Sequence, residues 1–306
     1  MPEKSALAFE PVTFADYDRI FPYTAAYGEG SCQHSPVSMI SLAEKYGDSV
    51  CIQGGFLYTL RSRLCDEAYR VYLAPLGSSG IAQAYRRILE DAAAHGKRAK
   101  FITLTEKQAG LVKDAFPDRF AFQEERDLAE YQYRADRMAA FPGGELRKRR
   151  QEVHTFWNQY GQRASVERIR PEDFESCLQY ERKWLRENLE THDADTLMRD
   201  ARMIDFQIAH FDTLRLSGVI LRIDGAVCGF CYGTPLGDTY DVIVEKADRG
   251  IPHCYKVLRQ ESTKQCAAGC RYVNMEEDLG LPGLRALKMA YKPDRLLRKL
   301  IVTERK

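Results

Sequence analysis

The two halves of this chain repeat each other, and that constrains the architecture more tightly than any single motif. Gly80-Ile81 through Tyr85-Arg86 (GIAQAYR) returns as Gly250-Ile251 through Tyr255-Lys256 (GIPHCYK), an offset of 170. Lys100 to Glu106 (KFITLTE) matches Arg271 to Glu277 (RYVNMEE) at 171, and Lys113 to Phe116 matches Lys288 to Tyr291 at 175. Asp16-Tyr17 and Asp173-Phe174 each open an amphipathic stretch; in the second, Phe174, Cys177, Leu178, Trp184 and Leu185 keep the helical period. Apolar runs joined by Gly54-Gly55 and by Asp224-Gly225 follow, and such dipeptides signal hairpins. Each half therefore predicts helix, hairpin, strand, helix, strand, helix, strand, which is a mixed-sheet α/β fold. A chain of 306 residues has room for two such domains, expected at 1–140 and 141–306.

Composition narrows the setting. Apolar residues make up 44% of the chain, ample for two cores. The opening MPEKSALAFEPVTF has no apolar signal region, and no uncharged apolar run approaches the roughly 18 residues that span a bilayer, so a cytoplasmic, soluble protein is expected. Nine scattered cysteines do not form a disulfide framework. Net charge is only +1, yet Arg134–Arg150 holds six basic residues against Asp136 and Glu145, and Arg285–Lys306 holds eight against Asp294 and Glu304. Such patches are solvated helix faces or contacts for a polyanion, tRNA or an anionic lipid headgroup.

The duplication also sorts architecture from chemistry, because features confined to one copy are the candidates for function. Lys113 and Phe116 mirror Lys288 and Tyr291, whereas Glu276, Asp278, Gly280 and Arg285 gain as candidates, because the second copy's loop is about five residues longer than the first's. Glu245 and Glu276 are expected at the ends of neighbouring strands, where open α/β sheets place ligands. Arg285 and Lys288, three apart, share one helical face. Acyl transfer needs a base for the nucleophile and a donor for the oxyanion, and carboxylates beside cations supply both. The alternative is that Glu245 with Lys246, and Glu276 or Asp278 with Arg285, are structural ion pairs.

The motif Asn274-x-Glu276-x-Asp278-Leu279-Gly280, then Gly283-Leu284-Arg285 and Lys288-x-x-Tyr291-x-Pro293, resembles the C-terminal catalytic domain of the phosphatidylglycerol lysyltransferases. The segment Gly144–Phe156 resembles that family's basic helix, and Val244–Asp248 its strand-end Glu-Lys-Ala-Asp. The resemblance spans most of residues 130–306 and implies two GNAT-like (acyl-CoA N-acyltransferase-type) domains in tandem. It implies an acyltransferase with catalytic Glu245, Glu276 and Asp278, substrate-binding Asn274, Arg285, Lys288 and Tyr291, and a polyanion contact at Arg147, Lys148, Arg149 and Arg150. Ala290 stands where many relatives carry serine, so no hydroxyl role passes to it.

The expected donor is an aminoacyl-tRNA, with a small-molecule amine or hydroxyl, or a lipid, as acceptor. Acyl-CoA is the alternative donor, and a non-catalytic binding module the alternative class. A CoA enzyme needs a glycine-rich strand-to-helix turn whose N–H groups cradle the pyrophosphate. Asp248–His253 offers one glycine, and Pro252 removes a donor. No metal is expected: residues three apart in a strand face opposite ways, so Cys228 and Cys231 cannot share an ion.

Overall fold

A computed structural model describes residues 6–189 and 193–306 of the chain. Contacts divide it into two compact units: Met1–Glu130 with Glu277–Pro282 and Leu296–Lys306, and Tyr131–Glu276 with Gly283–Arg295. Each is a mixed sheet with helices, as the repeat predicts.

The first sheet is built from β1 (Glu10–Pro11), β2 (Asp48–Gln53), β3 (Phe56–Arg61), β4 (Tyr69–Tyr72), β5 (Leu76–Gly77), β6 (Arg98–Thr105) and β7 (Phe120–Glu124). The second is built from β8 (Glu130–Arg134), β9 (Ala164–Arg168), β10 (Ser217–Ile223), β11 (Ala226–Leu236), β12 (Thr239–Ala247), β13 (Tyr272–Glu277) and β14 (Arg295–Leu297). One strand remains, β15 (Lys299–Glu304), and it joins the first sheet. The orders are β1-β2-β3-β4-β6-β15-β7, with β5 against β3, and β9-β10-β11-β12-β13-β8-β14.

These orders are the same pattern twice, with one exchange. The strand between β6 and β7 comes from the C-terminal half, and the strand between β13 and β14 comes from the N-terminal half. The linkers explain it. A single residue, Arg298, separates β14 from β15, too few for the two-residue turn an antiparallel hairpin needs. β15 therefore runs on and pairs antiparallel with β6 (Lys299↔Thr105) and with β7 (Val302↔Phe122).

Both expected hairpins form. Gly54 and Gly55 (φ 60° and 78°) and Asp224 and Gly225 (φ 49° and 80°) supply the paired positive φ of a two-residue turn twisted to match its strands. The helical repeat is also visible, although its register differs from the sequence match. Gly80 caps helix Ile81–Ala94 in a left-handed conformation, and His253, not Gly250, does so for helix Cys254–Cys266, an offset of 173. Gly250 stands four residues ahead of that helix. The extra loop is real: helix Glu106–Ala115 starts directly after β6, whereas residues 278–281 separate β13 from helix Pro282–Met289.

The cores differ in character. In the first unit Tyr72, Tyr85, Phe101 and Phe120 pack into an aromatic interior, with Tyr85 edge-on to Phe101 at 5.2 Å. In the second, Ile220, Phe230, Tyr232, Tyr240, Val257 and Leu258 are fully buried, but charged side chains are buried among them. Among the described residues no helix is long and apolar enough to cross a membrane.

His34 gives the first unit a pH signature. Its Nε2 lies 3.3 Å from the Gln108 side-chain nitrogen, whose amide oxygen already accepts from the Thr105 N–H, so Gln108 donates to the imidazole. The buried Nδ1 has no partner. Burial, helped by Lys299, pushes the pKa from 6.5 down to about 3. Below pH 6.5 the unfolded chain binds a proton that the native state refuses, so His34 removes stability as pH falls, by about 1.4 kcal/mol per unit. Asp48, raised to about 6 chiefly by burial, acts oppositely below pH 6. We expect His34→Gln to lose about 2 kcal/mol less than wild type between pH 6.5 and 4.5. Urea midpoints across that range test this, and parallel profiles would refute it.

Candidate active site

In the second unit the two central parallel strands part company. β12 and β13 pair at Thr239↔Tyr272, Tyr240↔Val273 and Asp241↔Asn274, where the ladder ends, although β12 continues to Ala247 and β13 to Glu277. Beyond the split, Lys288 Nζ donates to the Met275 carbonyl at 2.5 Å. Asn274 Oδ1 accepts from the Glu276 N–H at 2.9 Å, and Glu276 takes a left-handed φ of 56° that bends the strand end.

Glu245 lies within β12 rather than at its end, two residues short of Ala247. Alternation sends it and Lys246 to opposite faces, so the two do not pair. Lys246 meets Glu181 at 3.4 Å and lies 3.5 Å above the Trp184 ring. Glu245 meets Arg259, a buried guanidinium on helix Cys254–Cys266. The Arg259 guanidinium also faces the ring of Tyr291, 4.7 Å from its centroid, and Arg149 of helix Arg147–Tyr160 faces the same ring at 5.3 Å. Tyr133 stands edge-on to Tyr291, 6.4 Å between centroids, and donates from its hydroxyl to the Lys288 carbonyl at 2.8 Å.

Among the described residues, three buried polar atoms of this cluster make no well-aligned hydrogen bond, Glu245 Oε1, Arg259 Nε and the Tyr291 hydroxyl, although Arg259 lies close enough to the phenol to interact with it. Native interiors leave few such atoms unpaired, and a ligand site is one of the places where they do. Burial raises the Tyr291 pKa against the pull of Arg259, so the phenol keeps its proton as a donor.

The other expected residues are distributed as follows. Asp278 belongs to the first unit, fully buried, its carboxylate 3.1 Å from Arg126 and accepting from the Gly280 N–H at 2.9 Å. Its ion-pair partner is thus Arg126, and it holds the loop in shape. Asp278→Asn should melt earlier, by about 1–3 kcal/mol, since a charged acceptor is lost from a buried position; an unchanged melt would free Asp278 for a chemical role. Arg285 is half-buried on helix Pro282–Met289, while Lys288 on the same helix is buried. Of the basic run, Arg147 and Lys148 are exposed, Arg150 donates to the Phe141 and Gly143 carbonyls, and Arg149 turns inward to Tyr291 and Glu152.

Sequence reasoning missed Arg259 and Tyr133. Arg259 falls among Val257, Leu258, Gln260, Ser262 and Thr263, all buried, and a charge on a helix covered nearly all round must have a partner. In the first unit Cys32, Glu130 and Glu277 bring potential ligand atoms within 4.8 Å of one another. Lys299, 2.5 Å from Glu130, already neutralises that carboxylate, whose two oxygens also accept from Ser31 and the Cys32 N–H. This is a poor cation site. A cavity of about 270 Å³ lies at the tip of β12, lined by Trp184, Asn188 and Ala247 to Gly250 and apart from the Glu245 face.

The sequence from 25 to 303 matches the family model described as phosphatidylglycerol lysyltransferase, C-terminal. A search of curated protein sequences gives no match. Among solved structures, a conserved protein of unknown function from Bacteroides thetaiotaomicron superposes with a TM-score of 0.90 at 26% identity, covering 98% of this chain and 100% of that one. The C-terminal domain of a protein assigned as a lysylphosphatidylglycerol synthetase from Agrobacterium fabrum gives 0.66 at 14% identity, covering 95% and 92%. L-PGS from Bacillus licheniformis gives 0.64 at 16%, covering 99% and 94%; at such identities these two establish the fold alone. With its tandem GNAT-like sheets and a match over nearly its whole length, the chain belongs to the phosphatidylglycerol lysyltransferase C-terminal domain family, an acyltransferase-like family.

Proposed function

We propose that the chain transfers the aminoacyl group of a charged tRNA to an amine or hydroxyl acceptor, with the chemistry at Glu245, Arg259 and Tyr291. The observation that carries this reading is the trio of buried atoms in that cluster that make no well-aligned hydrogen bond. The acceptor attacks the ester carbonyl and passes its proton to Glu245 Oε1. The carbonyl oxygen, now negative, receives hydrogen bonds from the Tyr291 hydroxyl and Arg259 Nε, donors fixed before the charge develops. That attack forms the bond to the acceptor; collapse re-forms the carbonyl and breaks the bond to the ribose oxygen, which leaves with the proton from Glu245. Lys288 and Asn274 shape the strand end, Glu276 and Arg285 flank it, and Asp278 fixes the loop that follows.

One feature favours tRNA over acyl-CoA as donor. The Gly250 N–H, the glycine amide available to a pyrophosphate, donates instead to Asp248 Oδ1 at 2.7 Å. A carboxylate in that place repels a phosphate. Incubating the protein with acetyl-CoA and with mixed charged tRNAs, each with phosphatidylglycerol vesicles or simple amines, tests the proposal. Loss of charged tRNA above the enzyme-free rate is expected. Consumption of acetyl-CoA alone would establish the CoA reading, and consumption of neither would leave a binding module.

A further inference from the structure

Helix Phe174–Asn188 ends at the cavity by the tip of β12, and its last turn runs against helix electrostatics. Glu187 lies in that turn, where the carbonyl ends of the backbone disfavour an anion and favour a cation. Lys183, four residues before it, stands in the weaker order for such a pair, and its ammonium stays 3.8 Å away. Asp248, which follows β12, lies 3.8 Å from the same ammonium. Lys183 is therefore beyond hydrogen-bond reach of both carboxylates, and half of its side chain is in solvent. Two anions and a helix C-terminus converge on one tethered cation that bonds to neither anion.

Glu187 and Asp248 both line that cavity of about 270 Å³, and Trp184, three residues before Glu187 and so on its face of the helix, supplies an aromatic wall. Lys246 lies 3.5 Å above the Trp184 ring, so the indole already receives one ammonium. Arg249 lines the cavity as well, but it is exposed and forms no ion pair among the described residues. We propose that the cavity binds a small organic ammonium, its nitrogen between Glu187 and Asp248 and its carbon chain against Trp184. An untethered ammonium can approach both carboxylates to roughly 2.8 Å, the charge-assisted distance that Lys183 does not reach. Lys183 is then a competitor of the ligand. An aromatic wall suits an organic cation better than a metal ion, which takes oxygen ligands all round. The described walls do not include Glu245, so the inference stands independently of the transfer reading.

The chain has two tryptophans, so Trp157→Phe leaves Trp184 as the only indole and its fluorescence reports on the cavity. That variant is titrated with ethanolamine near neutral pH, against sodium chloride at equal ionic strength. A saturable change is expected, with half-saturation on the order of a millimolar for so small a ligand. In the same background Asp248→Asn should weaken binding about tenfold, and Glu187→Gln, 56% exposed against 28% for Asp248, about threefold. Lys183→Gln should instead tighten binding about threefold, because it removes the competing ammonium. Melting temperatures recorded alongside separate loss of binding from loss of fold. If Asp248→Asn melts early, Glu187→Gln and Lys183→Gln, both at exposed positions, still decide the matter. The absence of a saturable change, an equal change with 1-propanol or magnesium chloride, or carboxylate variants that bind as well as their parent would each overturn the proposal. So would weaker binding by Lys183→Gln, or saturation by acetate instead of ethanolamine, which would give the cavity to an anion through Arg249.

Discussion

Lys299→Met is expected to lower the unfolding free energy by about 3–5 kcal/mol, the usual cost of removing one member of a buried ion pair. Lys299 and Glu130 are both fully buried and 2.5 Å apart. Lys299 also donates to the Ser31 hydroxyl at 2.6 Å, which in turn donates to Glu130 at 2.6 Å, while the Cys32 N–H reaches the other carboxylate oxygen at 3.0 Å. Burial alone would raise the Glu130 pKa, but Lys299, Ser31 and the Cys32 amide outweigh it and the net shift is downward. A depressed carboxylate contributes stability above its unfolded pKa and withdraws it as pH falls through the folded value. The wild type should therefore lose this contribution below the ordinary carboxylate range, and Lys299→Met should lack it throughout. Pairing Lys299→Met with Glu130→Gln should recover part of the loss, since no bare buried charge remains. Denaturant unfolding of the two single variants and the double provides the measurement. If Lys299→Met unfolds like wild type, the pair is not what fixes β15 in the first sheet.

The second large effect is on rate. Tyr291→Phe keeps the ring between Arg149 and Arg259 and deletes one hydroxyl, so turnover should drop about 10²–10³-fold, as for loss of an oxyanion donor. Stability should change little, because the deleted hydroxyl makes no well-aligned hydrogen bond to lose. That separation distinguishes a chemical role from a structural one. Glu245→Gln cannot make it as cleanly, since it also strips Arg259 of its counter-charge. Single-turnover transfer from charged tRNA, with melting temperature alongside, decides the matter. A Tyr291→Phe protein at full rate would remove the phenol from the mechanism.

Much of the site was legible from residues alone, though not its wiring. Glu245 and Tyr291 were candidates because they fall in motifs of the resembled family. The sequence could not say that Glu245 pairs with Arg259 rather than Lys246, because its position inside β12, not at the end, decides which face it uses. Asp278 illustrates the converse: its place in the acidic loop suggested chemistry, whereas burial and Arg126 give it a hold on the loop. Arg149 looked like part of a solvated basic run, and only the packing of two helices turned it toward Tyr291.

The sequence by itself determined the repeat, the order of elements in each half, and both two-residue hairpins. These are local properties, since Gly54-Gly55 and Asp224-Gly225 select their turn geometry within a few residues. It did not determine which sheet receives β8 and which receives β15. Strand pairing is made by the backbone, and the alternation of Leu300, Val302 and their neighbours says which side is buried, not which strands lie alongside. The tertiary structure decided that question through the single-residue link at Arg298, too short to turn the chain back against β14, and through the buried Glu130 and Ser31 that receive Lys299 as β15 begins.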